Sequence, residues 1–318
     1  MKLYKPEIFQ GNLNKKHYFE GWYFKHVSKD LEHVYALIPG ISLSRDDKHA
    51  FIQKINGITG ETAYFQYPLQ DFWASRKELS VRVGDSTFSK NGIDINIDQN
   101  GTKITGKVDY SKLTHYPKKL FSPGIMGWYS FVPMMECKHG IVSVQHQLNG
   151  QLQIGDETVD FEDGNGYIEK DWGTSFPESW IWVHCNNFEK SDASLTFSVA
   201  KIPWLGSFFM GLICFVYYQA KFYLFATYNK AKVGKLEYGN DKLFVELTGS
   251  NHRLEIRVSQ NRSGDLKAPS RGEMSRIIKE SIDSDVEITL SDQKGNILYQ
   301  DHGTRAGMEI IEKVLEYF

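Results

Sequence analysis

Trp22-Tyr-Phe-Lys-His26 reappears about half a chain length later as Trp180-Ile-Trp-Val-His184, and both segments follow the pattern Trp-x-aromatic-x-His. Aromatic and β-branched residues favour strands, so each segment is predicted to form one. With similar numbers of strand-like segments on either side, the repeat predicts two tandem β-domains, residues 1–163 and residues 164–318.

The rest of the chain supports a mainly β protein. Aromatic residues make up 14% of the 318 residues. Strand-like segments recur every ~8–12 residues, the spacing typical of sandwiches and barrels. Asn-Gly pairs such as Asn56-Gly57 and Asn91-Gly92 mark turns between them. Helix is predicted only at the C-terminus, residues 304–318, where Met308, Ile311, Val314 and neighbours form one apolar stripe.

Charge and cysteine content exclude several classes of protein. The formal net charge is −2 without a basic block, which argues against nucleic-acid binding. Cys137, Cys185 and Cys214 are too few and too scattered for a disulfide framework. The first residues lack the apolar core of a signal peptide, so we expect a cytoplasmic protein.

One apolar run, Trp204–Tyr218, raises the question of a membrane. It is shorter than the ~20 residues of a spanning helix, and it contains Gly206 and Gly211. A second aromatic run, Phe222–Tyr228, follows closely. We therefore predict two strands joined by a tight turn, with peripheral contact to a membrane surface left open.

Two acidic residues are the main candidates for chemistry. In Gly166-Tyr-Ile-Glu-Lys-Asp-Trp-Gly173, strand alternation places Glu169 and Asp171 on one face with Tyr167. Two neighbouring, partly buried carboxyl groups raise each other's pKa, which suits a general acid. A solvated strand face is the alternative interpretation.

His146 and Glu20 are the other candidate catalytic residues. Alternation places His146 with Val142, Val144 and Leu148, so it is either a core histidine or a proton donor in an apolar pocket. Burial lowers the pKa of a histidine, so the second role requires a nearby carboxylate. Glu20 shares a face with Trp22 and Phe24.

An aromatic wall is the expected binding surface. Trp180, Trp182, His184 and Asn186 share one predicted face, which indicates either a core or a pocket lining. Aromatic faces also stabilise cations. Nucleotide-binding glycine patterns, the G-x-S-x-G motif and the H-E-x-x-H motif are absent from the sequence. We therefore predict neither a metal site nor a cofactor.

Several longer motifs resemble one known family, that of tocopherol cyclase. They are Tyr18-Phe-Glu-Gly-Trp-Tyr-Phe-Lys25, Pro133-Met-Met-Glu-Cys-Lys-His-Gly140, Gly166-Tyr-Ile-Glu-Lys-Asp-Trp-Gly173, Trp180-Ile-Trp182, Phe225-Ala-Thr-Tyr228 and Leu266-Lys-Ala-Pro269. The resemblance covers nearly the whole chain. More distantly, the chain is similar to the hydroxyneurosporene synthase (carotenoid hydratase) group.

The resemblance implies two lipocalin-like antiparallel β-barrels and an acid-initiated ring closure or hydration of a prenyl double bond. Applied to this chain, that chemistry assigns Asp171 or Glu169 as the acid and His146 or Glu20 as partner of the substrate hydroxyl. From chemistry and motif position, the expected substrate-binding residues are Trp22, Tyr23, Trp172, Trp180, Trp182, His184 and Asn186. A hydrophobic small molecule is the expected ligand. A non-catalytic carrier or sensor, or a protein whose core has no cavity, remains an alternative.

Overall fold

The computed structural model describes residues 2–133 and 135–318, so Met134 of the motif at residues 133–140 lies outside it. Strands dominate the chain, as predicted. Contacts divide it into two compact units. The first comprises Met1–Asn56, Glu61–Phe176 and Leu266–Ile277, and the second comprises Gly57–Gly60, Pro177–Asp265 and Ile278–Phe318.

The first unit is built on an antiparallel sheet of twelve strands in the order β4-β3-β2-β1-β12-β10-β9-β8-β7-β6-β5, with β11 paired to β10. The strands are β1 (Tyr18–Val27), β2 (Val34–Leu43), β3 (Lys48–Asn56), β4 (Thr62–Pro68), β5 (Phe72–Ala74), β6 (Ser80–Val83), β7 (Ser86–Ser89), β8 (Gly92–Gln99), β9 (Thr102–Thr114), β10 (Cys137–Ile154), β11 (Glu157–Asp160) and β12 (Gly164–Gly173).

Alternating apolar side chains pack together on one side of this sheet. Trp22 and Phe24 of β1 pack there with Ile168 of β12 and with Phe88 and Val108 from the strands beyond β10. Because successive side chains of a strand point to opposite faces, this core defines the two faces of β1, β10 and β12. We call the side of Trp22 and Ile168 the core face, and the other side the opposite face.

The second unit contains an antiparallel sheet of ten strands, ordered β16-β15-β14-β13-β22-β21-β19-β18-β17, with β20 paired to β21. The strands are β13 (Trp180–Cys185), β14 (Ser194–Trp204), β15 (Ser207–Tyr218), β16 (Lys221–Ala226), β17 (Lys232–Gly239), β18 (Lys242–Thr248), β19 (His252–Ser259), β20 (Gly264–Ser270), β21 (Glu273–Asp292) and β22 (Ile297–Ile310). The last residues of β20 and the first of β21 belong to the first unit.

The repeated segments occupy equivalent places in the two sheets. β1 lies between β2 and β12, and β13 lies between β14 and β22, so each is an inner strand of its sheet. The core of the second unit contains Ile181, Val183 and Cys185 of β13, packed with Val199 and Met308 among others. The repeat in the sequence therefore marks corresponding strands.

Two predictions about the architecture need correction. The barrels are not closed, because each sheet is an open path among the described residues, with β4 and β5 as one pair of ends and β16 and β17 as the other. The prediction of a C-terminal helix is wrong as well. Met308 and Glu309 belong to β22 and pair with Val183 and Trp182, and only Glu312–Tyr317 forms a short 3-10 turn. Pairing with β13 outweighed the helical spacing of the apolar residues.

The two units also divide the chain differently from the predicted boundary at residues 163 and 164. β12 begins at Gly164 but pairs with β1 and β10, so it belongs to the first unit. The predicted hairpin is present, since β15 and β16 are joined by Gln219 and Ala220, both at positive φ. Among the described residues, no helix has the length and apolar character needed to cross a membrane.

Candidate functional site

The strand β12 carries charged residues on both of its faces. Glu20 lies across from Trp172, and Trp22 across from Lys170, so these four residues share the core face. Tyr23 lies across from Glu169 on the opposite face. Residues directly paired across strands have neighbouring side chains. The two sets are therefore separated by the thickness of the sheet.

On the opposite face, the imidazole of His139 lies between two carboxylates. His139 is directly across from Asp171 in the pairing of β10 with β12. Its Nδ1 is 3.0 Å from Asp171 Oδ1, and its Nε2 is 3.6 Å from Glu169 Oε2. Because opposite charges at such distances favour the charged form, this geometry favours a proton on the imidazole. Glu169 and Asp171 share a face, as predicted, and His139 completes the group.

Phenol groups line the site beside Glu169. The Tyr167 hydroxyl donates to Glu169 Oε2 at 2.6 Å, which fixes that carboxylate. Tyr23 faces Glu169 from β1. The side chains of His139, Glu169 and Asp171 keep 14, 6 and 22% of their surface exposed, respectively. The cluster is therefore largely withdrawn from solvent, and Asp171 keeps the largest exposed fraction of the three.

Cys137 is a further neighbour of Asp171. Its thiol donates to Asp171 Oδ1 at 3.7 Å. Burial, and then the negative charge of Asp171, raise the pKa of the Cys137 thiol well above its usual value. The thiol therefore stays protonated near neutral pH, and it acts as a weak donor to Asp171 instead of as a nucleophile.

The three site residues could also bind a divalent cation. One ligand atom from each of His139, Glu169 and Asp171 lies within 4.8 Å of the others. Nδ1 of His139 and Oδ1 of Asp171 are already at hydrogen-bonding distance, which favours a proton shared between them. The prediction that the chain has no metal site remains a prediction.

On the core face, Glu20 is fully engaged within the protein. Its two oxygens accept hydrogen bonds from the backbone N–H groups of Gln10 and Gly11, at 2.8 and 2.9 Å, and from the Tyr18 hydroxyl. Glu20 also forms an ion pair with Lys170, and neither side chain has any exposed surface. This pair holds the segment at residues 8–11 against the sheet, because Lys170 donates to the carbonyl of Ile8 as well.

The aromatic residues Trp22 and Trp172 surround this lysine. The Lys170 ammonium lies 4.4 Å from the centre of the Trp22 ring and 5.1 Å from that of Trp172. Burial lowers the pKa of Lys170 to about 8, although Glu20 opposes the shift. The structure therefore places Glu20, Trp22 and Trp172 together, on the face of the sheet away from Glu169 and Asp171.

His146 belongs to the core face too. Its Nδ1 lies 3.1 Å from Ser143 Oγ, and its ring centre is 4.4 Å from that of Tyr110. Tyr110 in turn bonds His26 Nε2 at 2.6 Å. Burial lowers the pKa of His146 well below its usual value, and it lowers the pKa of His26 to about 3. Both rings are neutral near pH 7, and the neighbouring polar groups are hydroxyls instead of carboxylates.

The other predicted binding residues lie in the second unit. The face of β13 that carries them is the side away from the core residues Ile181 and Val183. Trp180 Nε1 donates to Glu309 Oε2 at 2.6 Å, and the ring of Trp182 stacks on that of His184. Asn186 is buried just beyond the end of the strand. The predicted Trp-Trp-His row is thus present.

The sequence analysis did not place His139 among the candidate residues. The decisive information is the register that sets it across from Asp171. β10 also has two register shifts between Ile141 and His146. Irregularities of this kind cannot be read from a single sequence, because side-chain alternation assumes regular pairing.

Comparison with known proteins gives the family to which this chain belongs. The tocopherol cyclase-like family matches residues 98–311, which is more than half of the chain and includes β10 and β12. The chain therefore belongs to the tocopherol cyclase-like family.

Individual relatives are distant. A protein named tocopherol cyclase, chloroplastic, from Zea mays is 22% identical over 309 residues, which cover 80% of this chain and 65% of that protein. Among solved structures, CghA has a TM-score of 0.57 at 11% identity, with 92% of this chain and 88% of CghA covered. Kievitone hydratase from Nectria haematococca has a TM-score of 0.50 at 8% identity, with 96 and 94% covered. These two structures share the two-sheet fold.

Proposed function

We propose that this protein is an enzyme that protonates a carbon–carbon double bond in a prenylated or otherwise hydrophobic small molecule, and so starts a ring closure or a hydration. The observation that carries this proposal is the imidazole of His139, held between Asp171 and Glu169 beside two tyrosines. Membership of a cyclase-like family and structural similarity to a protein named as a hydratase support the same type of chemistry.

The proposed reaction moves a single proton in and out of the site. The protonated His139–Asp171 pair donates its proton to one alkene carbon, and the more substituted carbon becomes cationic. In a ring closure, a phenol oxygen of the same substrate attacks that carbon and its proton returns to the pair. In a hydration, water takes the place of the phenol. The step is redox-neutral, so it requires neither an oxidant nor a reductant.

The residues around the pair have distinct roles in this proposal. Asp171 orients His139 through the 3.0 Å contact to Nδ1. Glu169 is fixed by Tyr167 and lies near Nε2, where it stabilises positive charge on the ring. The ring of Tyr23 lies across from Glu169 and keeps a small exposed fraction, and an aromatic face of this kind stabilises a nearby cation through the ring quadrupole. Proton delivery and cation stabilisation thus come from one face of the sheet.

A non-catalytic carrier of a hydrophobic ligand is the second candidate. A carrier needs apolar and aromatic surface, and the row of Trp180 and Trp182 would be enough for it. It has no use for a histidine placed between two largely buried carboxylates, because such a group costs desolvation energy. The acid cluster is therefore the feature that favours an enzyme.

The test is turnover of a panel of prenylated hydroquinones by the purified protein in D2O, with products analysed by mass spectrometry. We expect a cyclised or hydrated product that carries one deuterium bound to carbon. His139→Gln should abolish turnover while ligand binding remains. His302→Gln is the matched control, since it also removes a histidine from a carboxylate pair, that with Glu189. Binding without product in the wild-type protein would support the carrier, and absence of binding would contradict both candidates.

A further inference from the structure

One loop of the first unit exposes an unusual set of apolar side chains. Lys119 and Ser122 exchange two backbone hydrogen bonds, of 2.8 and 3.0 Å, so Leu120 and Phe121 occupy the tip of a tight turn. Their exposed fractions are 73 and 77%. Two large apolar side chains at the tip of a turn are unfavourable in water. Their exposure therefore indicates that a lipid layer or a partner molecule covers them.

Two more exposed aromatic residues follow in the same segment. Trp128 and Phe131 lie in the short 3-10 helix Gly127–Phe131, and both are more than two-fifths exposed. Since a 3-10 helix has three residues per turn, residues three apart share one side of it. The Trp128 ring stacks on that of Tyr129, with 4.1 Å between the ring centres. Trp and Tyr are the residues that prefer the boundary between lipid and water.

The charged residues of the loop itself have one sign. Lys118 and Lys119 immediately precede Leu120, and both are exposed. Neither Asp nor Glu occurs in the sequence between Asp109 and Glu136. Lys118 forms a loose 3.6 Å contact with Glu7. Apolar side chains next to lysines match a surface of anionic headgroups above an apolar layer.

The turn is held in place by the rest of the first unit. The Tyr4 hydroxyl donates to the carbonyl of Leu120, which joins the tip to the N-terminal 3-10 helix Lys2–Tyr4. This helix brings Lys2 and the adjacent Lys5, both exposed, to the same part of the protein. The apolar tip is therefore presented by the folded unit, with additional positive charge beside it.

The loop also touches the candidate site. The backbone N–H of His139 donates to Met126 Sδ at 3.1 Å. Lys138, the preceding residue, donates through its ammonium to the carbonyl of Ser130 at 2.9 Å. A surface that contacted lipid through this loop would thus be next to the His139 cluster.

We propose that the loop at residues 118–131 docks the protein on an anionic lipid bilayer, with Leu120 and Phe121 inserted and Lys118 and Lys119 at the headgroups. The convex shape of the tip favours a deformable layer over a protein partner, which would need a matching cavity. Docking does not depend on the proposed reaction, and a protein without turnover would bind lipid in the same way.

The test is co-sedimentation of the purified protein with vesicles of phosphatidylcholine alone and with about 30% phosphatidylglycerol added, at low salt and at about 1 M salt, where the screening length is roughly 3 Å. We expect binding to the anionic vesicles at low salt only. Leu120→Ser/Phe121→Ser should weaken it by roughly tenfold or more. Lys118→Gln and Lys119→Gln should each weaken it by roughly fivefold.

Ile297→Ser/Leu298→Ser is the matched control, because it also removes two adjacent exposed apolar side chains. It should leave binding unchanged. Leu205→Ser tests the other exposed turn, between β14 and β15. The proposal is overturned if wild-type protein ignores both vesicle types, if only Leu205→Ser reduces binding, or if Leu120→Ser/Phe121→Ser instead dissociates an oligomer detected by light scattering.

Discussion

The two faces of the sheet around β12 hold charged residues in very different surroundings. On the core face, Glu20 and Lys170 have no exposed surface, and hydrogen bonds from the protein occupy both carboxylate oxygens. On the opposite face, His139 and Asp171 keep part of their surface exposed. The difference teaches that charged residues of one motif can meet different surroundings, since Lys170 is enclosed by the protein whereas Asp171, one residue later, keeps part of its side chain exposed.

The two histidines of β10 make the same contrast. His139 lies between two carboxylates, which favours a charged ring. His146 lies against Ser143 and Tyr110, and burial keeps it neutral. Position on one strand face or the other thus places one histidine beside two carboxylates and the other in the core.

The largest expected effect is on turnover, from removing the charge of Asp171. Asp171→Asn keeps the size of the side chain but cannot stabilise a protonated His139. We expect the rate to fall by about 10² to 10⁴, the usual contribution of a positioned acid or base. The free energy of unfolding should change by less than about 1 kcal/mol, because the carboxylate is partly exposed.

Asp163→Asn is the control for this comparison, since it removes a carboxylate that pairs with Lys29 on the surface. Its rate should equal that of the wild-type protein. Equal losses of rate in Asp163→Asn and Asp171→Asn would contradict a specific role for Asp171.

The next largest effect concerns the core-face ion pair. Lys170→Met leaves the Glu20 carboxylate buried without its cation, and breaking a buried pair in this way costs about 3–5 kcal/mol of stability. Replacing both charged residues, as Glu20→Gln/Lys170→Met, should recover part of that loss, because no uncompensated charge remains although glutamine has one acceptor oxygen where Glu20 uses two. Urea denaturation followed by tryptophan fluorescence measures both variants. A double variant as unstable as the single one would show that the interaction is not mainly one of charge.

A smaller effect on stability is expected at Gly166, which lies directly across from His146 in the pairing of β10 with β12. A Cβ at this position would lie 2.1 Å from His146 Nε2, which is closer than any real contact. Gly166→Ala should therefore destabilise the protein by about 1–3 kcal/mol, as overpacking of a core does. Gly239→Ala, where nothing lies within 4 Å, should have little effect. Gly166→Ala as stable as Gly239→Ala would mean that the His146 ring moves aside freely.

The last comparison concerns the dependence of stability on pH. The pKa values of His26 and His146 are lowered in the folded protein, so the unfolded chain binds protons that the folded protein does not. Stability is therefore fully present above the unfolded pKa of about 6.5 and is lost as the pH falls towards about 3, by up to roughly 1.4 kcal/mol per pH unit for each histidine. His146→Gln should reduce this slope between pH 6 and 4, measured by denaturant unfolding, and an unchanged slope would contradict the neutral state of His146.

Much of the fold follows from local pattern. The Trp-x-aromatic-x-His repeat marked β1 and β13, and the apolar run near residue 210 was correctly predicted as strands. The predictions of closed barrels and of a C-terminal helix were wrong for the same reason. Which strands pair at the ends of a sheet depends on long-range contacts, and residues with helical spacing such as Met308 adopt the strand that their partners impose.

The candidate site likewise has features that follow from local pattern and features that depend on tertiary pairing. Alternation within β12 was enough to place Glu169 and Asp171 on one face, because the period of a strand is a local property. The sequence also specified the residue types, two carboxylates and neighbouring tyrosines, that suit proton transfer. Only the pairing of β10 with β12 brought His139 between those carboxylates. Only the pairing of β1 with β12 placed Glu20 beside Lys170, with which it forms an ion pair. Register between strands distant in sequence is a tertiary property, and it decided which charged residues meet.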